Sequence, residues 1–219
     1  MTAAIVATAF AGFSRSYYLR SHFHPEPLTP LLRVHGAIFT SWLVLLTVQT
    51  LLVAAGRVRQ HRALGVVGAA LAAAIIWTGT TTALHIARET WHGPPDLEPL
   101  TFLVVPLGDM LLFLILVGAG LILRRRPEAH KRLMILASVG LLPAAIGRLP
   151  LDILRGGQPV VYALTDLLML PCVAFDLFTR GRPHPATLSA AGLLIASQPL
   201  RLCLANTAPW LAFATWLVR

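Results

Sequence analysis

The stretch from Leu31 to Ile86 is apolar almost throughout, and a short basic segment, Arg57–Arg62, interrupts it once. The apolar run before this segment ends at Gly56, and the run after it begins at Ala63. Each run exceeds the roughly 20 residues that a helix needs to cross the hydrocarbon core of a bilayer. The pattern therefore predicts two antiparallel transmembrane helices joined by a basic turn.

The composition of the whole chain agrees with this interpretation. Of the 219 residues, 56% are hydrophobic and 12% are charged, and the mean hydropathy is +0.72, whereas about a quarter of the residues of a soluble domain are charged. The net charge of +9 comes from basic residues at the ends of the apolar runs, which is typical of contact with anionic lipid rather than with nucleic acid. We therefore predict an all-α, polytopic membrane bundle in a lipid bilayer, with no nucleic-acid partner.

The apolar runs predict about seven transmembrane helices in a single domain that covers residues 1–219. Their predicted bounds are about 2–19, 31–56, 63–86, 100–123, 131–149, 160–178 and 186–206. The tail, 209–219, is too short to cross a bilayer, so it is predicted to be an interfacial helix. A proline-rich link that contains His24 and Pro25 joins the first two helices.

The distribution of Lys and Arg predicts the orientation of the bundle. The turns after helices two, four and six hold ten of the 18 basic residues. These turns are short, which is the situation in which the positive-inside rule applies. The loop from Ala87 to Pro99, on the opposite side, contains Glu89, Asp96 and Glu98. The N-terminus is therefore predicted to be cytoplasmic and the C-terminus to lie outside.

Five ionisable groups are predicted to lie at similar depths in the outer half of the bundle: His35, His85, Asp109, Arg148 and Asp166. His35 and His85 are each 25 residues from Gln60, the middle of the basic segment, and equal rise per residue then means equal depth. Asp109 lies 18 residues before Pro127 and Arg148 lies 21 residues after it. These two groups are therefore predicted to be nearly level in the second hairpin.

Two interpretations of these five groups remain open. In the structural one, Arg148 forms an ion pair with Asp109 or Asp166 and the histidines hydrogen bond between helices, because charges at such depths are usually paired. In the functional one, the groups line a polar pocket that opens outward and holds a metal, a haem or a protonatable substrate. His35, His85 and Asp109 would then ligate the metal, since imidazole and carboxylate together suit a divalent ion such as zinc.

A second pair of histidines is predicted on the cytoplasmic side. His61 and His130 each open a predicted helix, the third and the fifth, at the inner interface. Two imidazoles at one depth on two helices could be the axial ligands of a b-type haem, with Arg or Lys nearby for its propionates. The alternative is that both are solvated residues of basic loops near lipid headgroups. His61 and His85 are 24 residues apart, which places them about 120° apart around one helix, so they would serve different sites.

The segments His61-Arg-Ala-Leu-Gly65 and His130-Lys-Arg-Leu-Met134, with Arg148 closing helix five, resemble a family of bacterial polytopic membrane proteins of unknown function. The segments 13–18 and 181–187 look like further signatures of that family, so the likeness covers most of the chain. This resemblance implies a multi-pass protein of the bacterial inner membrane. The chain is also similar, more weakly, to the ascorbate-reducing, two-haem transmembrane b-type cytochromes. Those proteins use four histidines on four helices, whereas helix four here offers Asp109 instead of a histidine.

Three classes of function are compatible with these patterns, and none of them assigns a catalytic residue. The first is a redox or electron-transfer protein that binds haem b or a metal through His61 with His130, through His35 with His85, or through both pairs. The second is a metal-dependent membrane hydrolase, broadly similar to seven-helix ceramidases and adiponectin-type receptors, in which zinc bound by His35, His85 and Asp109 activates water. Helix seven lacks the paired histidines of that family. The third is a non-catalytic assembly or partner subunit without a cofactor, which binds another membrane protein or a second copy of the chain.

Overall fold

The computed structural model describes residues 1–23 and 27–219, so His24 and Pro25 of the predicted proline-rich link lie outside the described residues. Within these ranges the chain forms α-helices and no strand. The α-helices are α1 (Thr2–Phe13), α2 (Arg20–Phe23), α3 (Pro30–Ala54), α4 (Val58–Thr90), α5 (Glu98–Phe102), α6 (Val104–Ile122), α7 (Pro127–Val139), α8 (Pro143–Ile146), α9 (Gln158–Leu167), α10 (Leu170–Arg180), α11 (Pro185–Ala205) and α12 (Ala208–Val218). A π-helix, Ser14–Tyr18, continues α1, and a 3₁₀-helix, Asp152–Gly156, precedes α9.

Six helical segments of the described chain are long and apolar enough to cross a membrane. They are Pro30–Ala54, Val58–Thr90, Glu98–Ile122, Pro127–Ile146, Gln158–Arg180 and Pro185–Ala205. The predicted all-α, polytopic membrane bundle is therefore confirmed. The first predicted span, 2–19, is shorter than these six, because the 12 residues of α1 are followed by a π-helix of 5 residues.

The first long hairpin turns at Gly56, ahead of the centre predicted from the basic segment. α3 ends at Ala54, Gly56 has a left-handed φ of 71°, and α4 begins at Val58. Glycine adopts this conformation without the steric cost that a side chain would add. The basic residues from Arg59 onward therefore belong to the first turns of α4 rather than to the connection between the helices.

Two of the predicted spans are interrupted near their middles. α7 ends at Val139 and α8 begins at Pro143, because proline has no backbone N–H and its ring clashes with the preceding turn of a helix. α9 ends at Leu167 and α10 begins at Leu170, with Pro171 in its first turn. Predicted helices five and six thus each consist of two shorter helices, and helix five begins earlier and ends earlier than the predicted 131–149.

The core of the bundle lies between α3, α4, α6, α7 and α11 and consists of apolar side chains. Trp42 is buried near its centre, where its ring lies 5.2 Å from the ring of Phe113. Its Nε1–H donates to Ser138 Oγ at 3.1 Å. Large apolar side chains on the outer faces, such as those of Trp77 and Phe178, are exposed. Such faces are expected of a bundle surrounded by lipid, whose tails are as apolar as these side chains.

The C-terminal helix α12 lies across one end of the bundle. Near its start, Trp210 Nε1–H donates to the Leu100 carbonyl at 2.9 Å. At its other end, the Arg88 guanidinium donates to the carbonyls of Leu217 and Val218. Because Arg88 is in the last turn of α4 and Leu100 is in α5, both ends of α12 contact the same end of the bundle. The tail is thus a helix oriented across the bundle, and its place at a membrane surface stays a prediction.

Candidate functional site

The connections at residues 55–57, 123–126 and 181–184 lie together at the end of the bundle opposite α12, which we call the basic end. Here the first turn of α4 and the first turn of α7 bring His61 and His130 together. Their ring centres are 6.2 Å apart and their ring planes are at 79°. Both side chains are half-buried. The sequence predicted that these two histidines share one depth, and the structure places them face to face on different helices.

The orientation of His130 is set by the C-terminal end of α6. Its Nδ1 lies 2.8 Å from the carbonyl oxygen of Gly120. A carbonyl can only accept, so Nδ1 carries the proton and donates it. The other ring nitrogen, Nε2, is then unprotonated in the neutral imidazole and free to bind a metal. A hydrogen bond of this kind is the usual support of a metal-binding histidine.

His61 differs from His130 in lacking such a support. Its Nδ1 is buried and has no hydrogen-bond partner among the described residues. The His61 side chain lies against the main chain of Gln49 on α3. The Gln49 side-chain oxygen, Oε1, is also buried without a partner among these residues. Two polar atoms of opposite hydrogen-bonding capacity are therefore left unpaired beside each other.

Exposed cations surround the two histidines at the basic end. They are Arg57, Arg59, Arg62, Arg124, Arg125, Arg126 and Lys131. The carboxylate of Glu128 lies among them and binds Lys131 at 2.7 Å and Arg132 at 2.6 Å. The site is thus strongly positive at its outer rim, where a bound anion or the acidic groups of a cofactor would be stabilised.

A buried ion pair holds the start of α7, and with it His130, against α10 and α11. The Arg132 guanidinium binds Asp176 Oδ1, with Nε donating at 2.8 Å. The second carboxylate oxygen, Oδ2, accepts from the main-chain N–H of His184 at 2.9 Å and from the hydroxyl of Thr187. Asp176 is completely buried, and its carboxylate is fully hydrogen-bonded. The predicted site residues do not include Arg132 and Asp176, although a charged residue next to an apolar run was a visible signal for both.

The distance between the two histidine rings matches one metal ion held between opposed imidazoles. Each metal–nitrogen bond is about 2 Å and each ring centre lies roughly 1 Å behind its ligating nitrogen, so opposed ligands have ring centres roughly 6 Å apart. At the tetrahedral angle that zinc prefers, the same bonds would bring the centres to roughly 5 Å. The observed 6.2 Å therefore favours axial ligation over a tetrahedral site.

The structure separates His35 from His85, which were predicted to be level. The His35 side chain lies against the main chain of Thr78 on α4, which is seven residues before His85. Seven residues of α-helix correspond to about 10 Å along the axis. The prediction is wrong because the hairpin turns at Gly56 instead of Gln60. Moving the turn by four residues along the chain moves the facing position on α4 by about eight residues.

Asp109 forms an ion pair with Arg201 of α11, not with Arg148 as predicted. Arg201 Nη1 donates to Asp109 Oδ1 at 2.5 Å, and the two side chains are 8% and 10% exposed. Arg148 instead donates to the Ala144 carbonyl at 2.5 Å, and its guanidinium carbon lies 5.0 Å from the ring centre of Phe13. The interruption of the span at Pro143 explains the difference, because a depth calculated for one straight helix does not apply beyond a break.

Asp166, the other predicted partner of Arg148, also binds a side chain of α11. Gln198 Nε2 donates to Asp166 Oδ1 at 2.7 Å. The Arg201 guanidinium carbon lies 4.9 Å from the ring centre of Tyr162, so α6, α9 and α11 meet through one set of polar side chains. The predicted ionisable groups do not include Arg201, although a charged residue within an apolar run is the same signal that identifies Asp109.

The predicted zinc ligands His35, His85 and Asp109 are not brought together. Across residues 1–23 and 27–219, no group of three or more His, Cys, Asp or Glu side chains is placed to hold a metal ion. Asp109 points to α11 through its bond with Arg201, whereas His35 and His85 lie about two helical turns apart along the first hairpin. The donor set that a zinc hydrolase needs, three protein ligands around one ion, is therefore not formed by these residues.

No protein-family model, no curated protein and no solved structure matches this chain. The fold and the site therefore define the class of protein: a multi-pass helical membrane protein with a facing pair of histidines at its basic end.

Proposed function

We propose that this chain is a membrane redox protein that binds haem b between His61 and His130. The observation that carries the proposal is the separation of 6.2 Å between the two ring centres. Axial imidazoles on opposite faces of one iron require roughly this distance, as worked out above. Two histidines that were merely solvated in basic loops would have no reason to keep it.

The surroundings of the pair support a haem more than a bare ion. His130 is oriented by the Gly120 carbonyl, in the manner of a histidine that ligates a metal. The buried, unpaired Nδ1 of His61 is a group whose environment is incomplete without a ligand or a partner. The exposed arginines on α4 and on the α6–α7 connection could bind the two propionates of a haem, as charge-assisted hydrogen bonds to carboxylates are strong.

A bound haem would supply the reversible one-electron chemistry of its iron. The chain would contribute the two imidazole ligands and a hydrogen bond that sets the basicity of at least one of them. It would also contribute a positive rim that neutralises the propionates. These features determine the reduction potential of a haem. The resemblance to bacterial polytopic proteins places this activity in the bacterial inner membrane, with the basic end in the cytoplasm by the positive-inside rule.

The other two classes of function receive less support from the geometry. The zinc hydrolase requires His35, His85 and Asp109 at one point, and the described residues do not bring them there. A cofactor-free partner subunit, which would associate with another membrane protein or with a second copy of the chain, requires no histidine pair. The same experiment distinguishes the three.

The test is an optical spectrum, with metal analysis, of the protein purified in mild detergent from cells supplied with a haem precursor. We expect a reduced b-type spectrum and one iron per chain. His61→Ala and His130→Ala should each abolish this spectrum. His35→Ala and His85→Ala are matched controls, because they remove intramembrane histidines that lie away from the pair, and they should retain the spectrum.

Two results would contradict the proposal. A haem spectrum that survives both His61→Ala and His130→Ala would place the cofactor elsewhere. Folded wild-type protein that takes up no haem when haemin is added to the purified sample would favour the cofactor-free subunit. Stoichiometric zinc lost only in the His35→Ala and His85→Ala variants would favour the hydrolase.

A further inference from the structure

The two histidines of the pair have unequal support in the structure. His130 donates from Nδ1 to the Gly120 carbonyl at 2.8 Å. His61 has no corresponding acceptor, and its Nδ1 is buried without a partner among the described residues. If both imidazoles are to present Nε2 to one iron, His61 needs an acceptor for its Nδ1–H, as ligating histidines almost always have.

An unused acceptor lies beside His61 on the neighbouring helix. Gln49 Oε1 is buried and also lacks a hydrogen-bond partner among the described residues. The His61 ring lies against the main chain of this same residue. The Gln49 amide also reaches α4, since a Cβ built on Gly65 would lie 3.9 Å from its Nε2. The carboxamide therefore occupies the space between α3 and α4 next to the turn of α4 that carries His61.

We propose that Gln49 is the positioning residue of His61: its side-chain oxygen accepts the Nδ1–H of His61, as the Gly120 carbonyl accepts that of His130. A rotation of the Gln49 side chain pairs the two atoms that are now unpaired. Both rings then have the same tautomer, with Nδ1 protonated and Nε2 directed into the gap between them. This inference rests on the proposed function for its purpose, but the hydrogen bond itself belongs to the chain alone.

The position also predicts how Gln49 would affect the cofactor. An acceptor on Nδ1–H increases the electron density of the imidazole and makes it a stronger ligand of the oxidised iron. A carboxylate at position 49 would do so more strongly than a carboxamide, and an apolar side chain would not do so at all. Gln49→Glu and Gln49→Leu should therefore shift the reduction potential of a bound haem in opposite directions, downward and upward respectively.

The first test uses the cofactor-free protein and does not depend on haem. Nitrogen NMR of ¹⁵N-histidine-labelled protein in detergent, at alkaline pH where imidazole is neutral, reports which ring nitrogen carries the proton. The His61 signals are identified by their absence in His61→Asn. We expect His61 to be Nδ1-protonated in the wild type and to change tautomer in Gln49→Leu. Thr50→Val is the matched control on the same helix, since Thr50 bonds to the Leu46 carbonyl of its own helix and to Thr2, and it should leave His61 unchanged.

The second test is a redox titration of the haem-loaded protein. Opposite shifts of the midpoint potential in Gln49→Glu and Gln49→Leu, with none in Thr50→Val, support the positioning role. A residue with a purely structural role would shift both variants in one direction or neither. If Gln49→Leu does not fold, Gln49→Met provides an unbranched apolar replacement of similar length.

The outcomes separate the two proposals. His61 signals that are the same in the wild type and in Gln49→Leu overturn the role of Gln49, even if the chain binds haem between His61 and His130. A change of tautomer in a chain that binds no haem overturns the proposed function and leaves the His61–Gln49 hydrogen bond standing.

Discussion

Arg132 and Arg201 are buried, and each binds an aspartate on a helix other than its own. Arg201 on α11 binds Asp109 on α6, and Arg132 on α7 binds Asp176 on α10. A charge in an apolar interior is costly unless it is paired and its hydrogen bonds are satisfied. The general rule that intramembrane charges pair is therefore followed, but with partners that the sequence did not identify.

Removing one member of the Asp109–Arg201 pair should destabilise the bundle more than removing both. Arg201→Met leaves the Asp109 carboxylate buried without a counter-ion, so we expect the free energy of unfolding to fall by roughly 3–5 kcal/mol. The double variant, Asp109→Leu with Arg201→Met, leaves no buried charge and should lose less. Unfolding in mixed detergent and dodecyl sulfate, combined as a double-mutant cycle, measures the coupling.

The exposed pair Asp152–Arg155 provides the control for this cycle. Its atoms are 3.0 Å apart, but the side chains are 91% and 86% exposed. Exposed pairs contribute up to about 1 kcal/mol, so the coupling measured there should be small. Strictly additive losses at Asp109 and Arg201 would show that the two side chains do not depend on each other.

His184 is a second residue whose protonation state matters for stability. Its Nδ1 accepts a hydrogen bond from the Ala186 N–H at 3.0 Å and so caps the start of α11. Nδ1 can accept only while it carries no proton. Burial, together with the nearby charges of Arg132 and Arg180, lowers the pKa of His184 from its ordinary value. The unfolded chain therefore binds this proton more readily than the folded protein does.

The sign of the pH dependence follows from this lowered pKa. The stabilisation by the His184 cap should be present above the unfolded pKa of about 6.5 and should be lost as the pH falls through the lower folded pKa. His184→Asn keeps a capping oxygen that does not titrate, so its melting temperature should fall less than that of the wild type between about pH 8 and pH 5. His92→Asn, at an exposed loop histidine, should retain the wild-type profile. Identical profiles for wild type and His184→Asn would exclude the capping role.

At the scale of secondary structure, the short first helix is held by a close approach to another helix. α1 packs against α8, and a Cβ added to Gly12 would overlap the main-chain carbonyl of Ala145. Main-chain atoms cannot move aside as the end of a flexible side chain can. The association of α1 with the bundle therefore depends on the absence of a side chain at residue 12, in the manner of the small residues that permit close helix packing in membranes.

Gly12→Ala should separate α1 from α8 and destabilise the protein by roughly 1–3 kcal/mol, which is typical of overpacking. Gly118→Ala is the matched control within a helix, because a Cβ at Gly118 meets no atom within 4 Å. That substitution should instead stabilise the protein by about 0.5–1 kcal/mol, since alanine favours the helix. Thermal unfolding followed by tryptophan fluorescence compares the two variants. Equal effects would mean that α1 does not need this contact.

At the scale of the whole molecule, the two ends of the bundle differ in charge. The basic end carries exposed arginines on α4 and on the α6–α7 connection, whereas the loop that contains Asp96 lies at the opposite end. The structure establishes that these groups are at opposite ends. Which end faces the cytoplasm is predicted by the positive-inside rule.

Single cysteines at Gln60 and Asp96 test that orientation, because both positions are exposed. In a chain whose two native cysteines are replaced by alanine, the cysteine at Asp96 should react with an impermeant maleimide added to intact spheroplasts. The cysteine at Gln60 should react only after the membrane is opened. Labelling of both from the outside would contradict the predicted spans, and the reverse pattern would invert the bundle without altering its fold.

The sequence by itself determined that this protein is an all-α membrane bundle and where most of its spans lie. A run of apolar residues long enough to cross a bilayer has to satisfy its backbone hydrogen bonds internally, and a helix does so within the run. That reasoning needs no knowledge of neighbouring helices, which is why the spans from Leu31 to Ile86 were predictable. The pairing of His61 with His130 was predictable for a similar reason, because each lies within the first turns of its helix, where depth errors have not yet accumulated.

Only the tertiary structure decided which side chains meet deeper in the bundle. The glycine turn at Gly56 moved His35 away from His85, and the break at Pro143 moved Arg148 away from Asp109. Each residue of error in a turn changes the facing position by about two residues, and each break invalidates the counting beyond it. Contacts between the far ends of helices, such as that of Arg201 with Asp109, therefore depend on the sum of all turns and breaks along the chain. Local sequence patterns do not contain that sum.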